Sequence, residues 1–431
     1  MRGLTGWLNF VVNVILLFLG LLPGMVYAQQ NKTLTLEQAQ ELARQNYPVT
    51  QQFELLRQTE QYSLENLSKG FLPQFTLVGQ ATYQSDVTIV PVDVPSIEIP
   101  APAKDQYRIN ANVSQLLYDG GQIRQQKKVE QLNTIVENQR VEVELHKLRD
   151  RINQLYLGTL LLDEQLKQVD LVQQDLETGL RKVEAQVKNG VSFKSNLYLL
   201  QAELLNNEQR RAELQASRRA TLQTLGLFLG EPLSEGVVLA TPAAAEINGN
   251  VEIQRPELKL YTSQQTLLEQ LNRLLYARNL PRTSLFGESG YGRPGLNFLQ
   301  NTPDWWYIGG IRVSWPLGNF YTYRNDRKLI DVSQQQTEVQ RETFLLNTNA
   351  ELTQQRAEVD KLKEMLEADR EIVALREKVK LAANSQLENG VITANDYLRE
   401  VYAEDQARQQ LILHQLQLLQ AQINYKTVLG Y

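Results

Sequence analysis

Cysteine is absent from all 431 residues. That one gap removes disulfide staples, thiol nucleophiles and cysteine-ligated metal sites together. Histidine is nearly as scarce: His146 and His414 are the only two, each in a helical stretch with no second histidine or paired carboxylate at ligand spacing. Both therefore read as solvated helix positions rather than metal ligands or general bases. No Lys/Arg run stands out, and 44 basic residues against 49 acidic ones leave a net charge of −5, so a nucleic-acid partner has no electrostatic footprint. Neither a phosphate-cradling glycine loop nor a nucleophile elbow occurs; the chain does not read as an enzyme, and no cofactor or metal is expected.

Long apolar runs are also missing, with one exception at the N-terminus. Arg2 precedes an apolar stretch from Val11 to Leu22 broken only by Asn13, and Val26-Tyr27-Ala28 then precedes Gln29-Gln30. This is the pattern of a signal peptide over 1–28, with an uncleaved anchor as the alternative, and it predicts an exported chain beginning at Gln29. Position 29 is not cysteine, so no lipid attaches there and any membrane residence must come from the folded chain.

What is present occurs twice. Asn189-Gly190-Val191 recurs as Asn389-Gly390-Val391, Val113-Ser114 as Val313-Ser314, and Leu229-Gly230 as Leu429-Gly430, always 200 residues apart. Upstream, Pro48, Pro73, Gly79 and Tyr83 recur as Pro256, Pro281, Gly287 and Tyr291 at a spacing of 208. A tandem duplication accounts for both sets if the first copy holds eight extra residues in the Pro-rich stretch between Tyr83 and Val113, which is therefore a loop. The chain thus divides into a signal peptide (1–28), a first repeat (29–230), a linker of small residues, Pro and Gly (231–254), and a second repeat (255–431).

Each repeat is mostly helix. Thr35 followed by Gln38 is a capping-box pattern, and Pro48 restarts the helix after a break. From Gly121 to Lys188 there is no proline, and apolar residues step by four and three through Val141, Leu145, Leu148, Ile152 and Leu155 and on to Val187, with gaps at Thr159 and Gln173. Leu345, Leu352, Val359, Leu366 and Val373 keep the seven-residue spacing in the second copy. Such a heptad seam belongs to helices that coil around neighbours. About 68 residues at ~1.5 Å each make a rod of about 100 Å. Asn189-Gly190 and Asn389-Gly390 stop the rods, so each repeat holds a long antiparallel hairpin, at about 121–229 and 320–429. The many Glu, Lys and Arg residues along the rods read as surface charge between the seams.

Four further segments alternate with a period of two. At about 73–83 and 106–116, Phe75, Leu77, Ala81, Tyr83, Tyr107, Ile109, Ala111 and Val113 fall on one side, with Gln, Thr, Arg and Asn opposite. At about 282–291 and 306–316 the pattern is weaker: Tyr307, Ile311, Val313 and Trp315 share a side, but Phe286 and Ile308 are off pattern. Strands of this kind either cover a soluble core or face lipid. A length of ~10 residues suits a tilted membrane strand. Tyr83, Tyr107, Tyr291, Trp305, Trp306 and Tyr307 gather at the outer loop ends as an interfacial girdle would. Four strands do not close a barrel, and an open edge in lipid strands its backbone groups, so several chains must combine. Two would give eight strands and a filled interior; three would give twelve and a lumen, which the polar faces favour.

In order and spacing, the short motifs resemble the TolC-type outer membrane efflux protein family over Thr33 to Tyr431: Phe71-Leu72-Pro73 entering the first strand, Arg255-Pro256-Glu257-Leu258 opening the second repeat, Asn389-Gly390-Val391 at the helical turn, and Val428-Leu429-Gly430 at the end. The resemblance implies a mainly α fold with a small membrane β-barrel portion. Long antiparallel coiled hairpins would form an α-barrel, and four strands per chain would contribute to a twelve-stranded barrel in a homotrimer. It also implies the outer membrane of a Gram-negative bacterium, loops 84–105 and 292–305 outside, and a tunnel crossing the periplasm. Its tip would dock a periplasmic adaptor (a membrane fusion protein) and through it an inner-membrane pump, for export of small toxic molecules or proteins. A soluble periplasmic coiled-coil adaptor or scaffold is the alternative, but it would carry one hairpin and no such strands.

The family's tip pattern falls here on Gly390, Val391, Thr393 and Asp396. Asp396 is therefore either one member of a ring of carboxylates gating the entrance, or an acid serving the first turn of the returning helix. Arg399 stands where the family can carry a second acid and offers Asp396 an i,i+3 partner, while Asn196 is the equivalent of Asp396 in the first repeat. The turns Asn189, Gly190, Val191 and Asn389, Gly390, Val391 are the expected adaptor contacts, with the two valines inserting into a partner or packing the turn.

Overall fold

The computed structural model of the chain describes residues 33–88, 101–243, 252–297 and 300–431. The expected signal peptide at 1–28, the centre of the Pro-rich loop and part of the linker lie outside the described residues.

The described chain opens with β1 (Thr33–Leu34) and α1 (Leu36–Asn46). The hydroxyl of Thr35 accepts from Gln38 N at 3.2 Å, and Gln38 Oε1 accepts from Thr35 N at 3.1 Å, the reciprocal box that satisfies two amides left over at a helix start. A single 3₁₀ turn, Pro48–Gln51, leads into α2 (Gln52–Ser68), and β2 (Gln74–Tyr83) and β3 (Asp105–Tyr118) then pair antiparallel. Just past β3 the Asp119 carboxylate accepts from the amides of Gly121 and Ile123 at 2.8 and 2.6 Å, turning the chain straight into α3 (Gln122–Lys188). This helix of 67 residues returns as α4 (Lys194–Leu229). After β4 (Val238–Leu239) the plan repeats as α5 (Pro256–Arg278), β5 (Arg282–Arg293), β6 (Asp304–Ser314), the 69-residue α6 (Phe320–Glu388) and α7 (Ala394–Leu429). The result is a mainly helical, duplicated fold with a four-stranded sheet and a two-stranded ladder among the described residues. Among the described residues no helix is long and apolar enough to cross a membrane.

The sheet has the order β2-β3-β5-β6 and is antiparallel throughout, so the strand pairs of the two repeats join at β3 and β5. β2 and β6 are its edges, each with one ladder unfilled among the described residues. Trp315, grouped by sequence with the oily strand face, falls one residue past β6, and its indole N–H donates to Asn279 O at 3.0 Å.

Two larger apolar cores hold the rods together. One packs α1, α3, α4 and the end of α7 around Ile152, Tyr156, Leu222, Leu225 and Leu229. The other lies near the hairpin turns, with Leu176, Val183 and Leu200 against Leu387, Tyr397 and Val401. Each fully buried leucine contributes about 2 kcal/mol. Thr159, a gap in the apolar sequence pattern, is fully buried within the seam because its hydroxyl donates to Leu155 O at 2.8 Å, so the register continues through it.

The linker is not structureless. β1 and β4 form a two-residue parallel ladder, Leu34 O accepts from Ala240 N at 2.9 Å, and the buried Tyr156 hydroxyl lies 2.7 Å from both Leu34 O and Ala240 O. A strand of two residues is too short for periodicity to reveal.

Both histidines are buried rather than solvated. His414 Nδ1 lies 2.6 Å from Asp369 Oδ2, and Gln410 Nε2 is 2.6 Å from the other ring nitrogen. The carboxylate partner comes from α6, across the hairpin, where spacing along one helix does not disclose it. His146 packs at the first core, and burial, reinforced by the nearby Arg255 charge, holds its pKa at about 4 instead of 6.5. Its folded-state pKa is depressed, so the unfolded chain takes up a proton first as pH falls; stability present above pH 6.5 is lost toward pH 4. In thermal melts across that window, His146→Leu is expected to lose less stability than the parent, and an unchanged pH dependence would contradict the assignment.

Candidate channel wall and hairpin tips

Cross-strand partners project to the same side of a sheet, so the register sorts every strand residue onto one of two faces. Phe75, Leu77, Tyr107, Ile109, Tyr291, Trp305, Tyr307, Ile311 and Val313 share one face. Among the described residues nothing covers it: Leu77 is 71% exposed, Ile311 67% and Tyr307 84%. A bare apolar surface of this kind needs lipid or another chain over it.

At the outer end of that face, Ile109 pairs with Tyr291 and Tyr291 with Trp305, whose rings lie 5.2 Å apart, and Tyr83 and Tyr107 end the neighbouring strands. Tyr307 sits one pleat further in. Trp306, expected among them, points the other way: it pairs with Gly290 on the polar face, because its position has the opposite parity to Trp305 and Tyr307. On that wet face Asn110 Nδ2 donates to Glu288 Oε1 at 2.7 Å, and the Arg108 guanidinium donates to Gln80 Oε1 at 2.8 Å.

At the far end of the rods the two turns share one geometry. Gly190 and Gly390 take φ of +74° and +70°, and the amides of Val191 and Val391 reach back to Gln186 O and Gln386 O at 2.8 and 2.9 Å. A glycine there closes the helix without the Cβ clash that an L side chain meets at positive φ. The turns stand side by side. Lys182 Nζ bonds Glu388 Oε2 at 2.7 Å and Asn384 Oδ1 at 3.0 Å, and a groove of about 470 Å³ between the tips is lined by Gln186, Asn189, Val191 and Asn389. Val191 and Val391 are exposed, and so is Phe193, which the sequence motif passed over.

Asp396 is occupied with its own helix. Its Oδ2 accepts from Thr393 N at 3.1 Å and from Thr393 Oγ1 at 2.7 Å, while Thr393 Oγ1 accepts from Asp396 N at 3.2 Å. These bonds hold the Asp396 carboxyl below the usual aspartate range, with Arg399 adding a small Coulombic pull. Arg399 does not bond Asp396; its Nε turns to Glu400 Oε1 at 3.2 Å. In the first repeat Phe193 stands where Thr393 would be, so no capping box forms, and Asn196 Nδ2 bonds Ser192 Oγ at 3.1 Å instead.

Between the two large cores lies a band of buried charge that the sequence had placed on the surface. Lys380 Nζ bonds Asp175 Oδ2 at 2.7 Å and Glu404 Oε2 at 3.4 Å, and Glu404 also contacts Arg408. Sequence signal existed for it: Tyr397, Val401, Glu404 and Arg408 step by four, three and four, which puts a carboxylate on the seam.

The sequence pattern of the outer membrane efflux protein family matches residues 250–431. Solved structures extend the likeness over both repeats. CusC is 16% identical with a TM-score of 0.68, covering 92% of each chain. VceC of Vibrio cholerae is 15% identical with a TM-score of 0.65, covering 92% of this chain and 96% of its own. The open state of the MtrE outer membrane channel of Neisseria gonorrhoeae is 15% identical with a TM-score of 0.64, covering 92% of this chain and 88% of its own. The family match thus covers the second repeat, and the solved structures carry the same fold across both. No curated protein matches it in sequence. At these identities the solved structures establish the fold, which in this chain puts a bare apolar sheet at one end of the rods and paired turns at the other.

Proposed function

We propose that this chain is an outer membrane efflux protein, the exit duct of a tripartite efflux or secretion system, built as a trimer in the outer membrane of a Gram-negative bacterium. Three sheets close into a twelve-stranded barrel, and the helical hairpins continue it as a tunnel through the periplasm. One observation carries this: the sheet has an uncovered apolar face and two unfilled edges. Because its four strands alternate in direction, β6 of one copy meets β2 of the next antiparallel, and the ring closes without a reversal. The apolar faces then meet lipid and the wet faces line the pore. A soluble scaffold would leave the same surface in water.

At the opposite end, the turns at Asn189, Gly190, Val191 and Asn389, Gly390, Val391 dock a periplasmic adaptor, with exposed valines as knobs, and the adaptor links to an inner-membrane pump that supplies the energy. Asp396, Arg399 and Asn196 line the entrance, where three copies of each approach the axis. The chain performs no chemistry on its cargo, either small toxic molecules or proteins.

Cell fractionation tests the first part: a heat-sensitive oligomer in the outer membrane supports the duct, and a monomer in the soluble periplasmic extract contradicts it. Drug hypersensitivity of a deletion strain marks efflux; loss of one secreted protein marks secretion. Gly390→Pro tests the tip. Proline fixes φ near about −65° and has no N–H, whereas residue 390 needs +70° and donates to Leu387 O. The variant is expected to assemble in the membrane yet fail to restore resistance in the deletion strain. Full resistance would remove the tip from docking.

A further inference from the structure

Resting on the channel reading above, we infer that the wet face carries a binding station for flat aromatic anions. Along edge strand β6 the positions on that face are Trp306, Ile308, Gly310 and Arg312. Gly290 faces Trp306 and has no side chain, so the indole lies over it; a Cβ placed on Gly290 would sit 2.8 Å from Trp306 Cζ2. Gly310 is covered in the same way by Phe286 from β5, whose Cε1 would be 3.2 Å from a Cβ at that position. The Arg312 guanidinium lies 4.4 Å from the Phe286 ring centroid. Trp306, Ile308, Phe286 and Arg312 thus form one apolar strip with a cation at its end, on a wall that is mostly polar and charged.

Charge decides what this strip takes. Arg312 has no side-chain hydrogen-bond or ion-pair partner among the described residues; its guanidinium stacks on the Phe286 ring. The other guanidiniums of this face are satisfied by amide oxygens rather than carboxylates, Arg108 by Gln80 Oε1 at 2.8 Å and Arg282 by Gln122 Oε1 at 2.6 Å. Two acids share the face: Glu288, opposite Ile308, accepts from Asn110 at 2.7 Å, and Asp304 accepts from Trp305 N at 2.8 Å, while neither pairs with Arg312. A guanidinium stacked on a ring keeps its N–H edge free for a carboxylate in two-point contact. A ligand with one flat aromatic face and one carboxylate matches both halves of the station, the ring lying along Trp306 and Phe286 and the anion on Arg312.

Calorimetry on the detergent-solubilised full-length oligomer tests this, with naphthoate as the probe. Naphthoate is expected to bind saturably and about tenfold more tightly than either cyclohexanecarboxylate, which lacks the aromatic face, or naphthylmethylammonium, which carries the wrong charge. Arg312→Gln and Trp306→Leu should each weaken naphthoate severalfold, and Trp305→Leu, on the opposite face, should leave it unchanged. Equal affinity for the ammonium probe, or naphthoate binding indifferent to both Arg312→Gln and Trp306→Leu, overturns the station. Failure of the channel reading looks different: the chain is then absent from the outer-membrane fraction, whatever the calorimetry returns.

Discussion

Ile311→Arg is expected to abolish the outer-membrane oligomer. Ile311 pairs with Leu285 well inside β6 and lies on the uncovered apolar face. A guanidinium placed toward lipid near the bilayer midplane costs about 2–4 kcal/mol per chain, and a closed ring repeats that cost in every copy. Thr76→Arg is the control. Thr76 pairs with Asn112 on the wet face, where an arginine head stays hydrated, so its oligomer should survive. Unheated gel electrophoresis of the outer-membrane fraction separates the outcomes: loss in the first variant alone supports the facing of the sheet, and equal behaviour of the two contradicts it.

Glu404→Ala is the second large effect, and it acts on the rods. Glu404 is 2% exposed and receives Lys380 and Arg408 between the two large cores, while Lys380 also reaches Asp175 on α3. Removing one member of a buried charge cluster leaves the others desolvated without full compensation, at about 3 kcal/mol. Bond length is no guide here. The Lys361–Glu358 pair is short, 2.6 Å, but its side chains are 54% and 41% exposed, so water already solvates both ends. Glu358→Ala should therefore shift stability by less than ~1 kcal/mol. Thermal unfolding of the solubilised oligomers compares them, and similar losses in both variants would mean that the buried band contributes no more than a surface pair.

Much of this architecture is legible along the chain because it depends on local periodicity. The four-three step from Val141 to Val187 gives α3 its seam, the Thr35/Gln38 spacing gives α1 its cap, and Phe75, Leu77, Tyr107 and Ile109 declare a face by parity alone. Misplacements arise where something other than period decides. Trp306 clusters in sequence with Trp305 and Tyr307, but adjacent strand residues face opposite ways. The β1–β4 ladder is two residues long and joins segments about two hundred apart, so no window contains it. His414 finds Asp369 and Lys380 finds Asp175 only after separate helices pack, and composition assigns such groups to the surface by default. At the tip, the spacing of Thr393 and Asp396 announces a cap, yet whether Arg399 turns to Asp396 or to Glu400 is a choice of side-chain geometry made after folding.

The native chain contains no cysteine, so engineered pairs report on edge closure without background. The most direct test is oxidation in intact membranes of Thr76→Cys on β2 combined in turn with Ile308→Cys, Gly310→Cys or Arg312→Cys on β6, followed by denaturing electrophoresis. At least one pair is expected to yield a covalent ladder ending at three chains; monomers in every combination, or a ladder that runs on past three, would rule out a closed ring of three sheets.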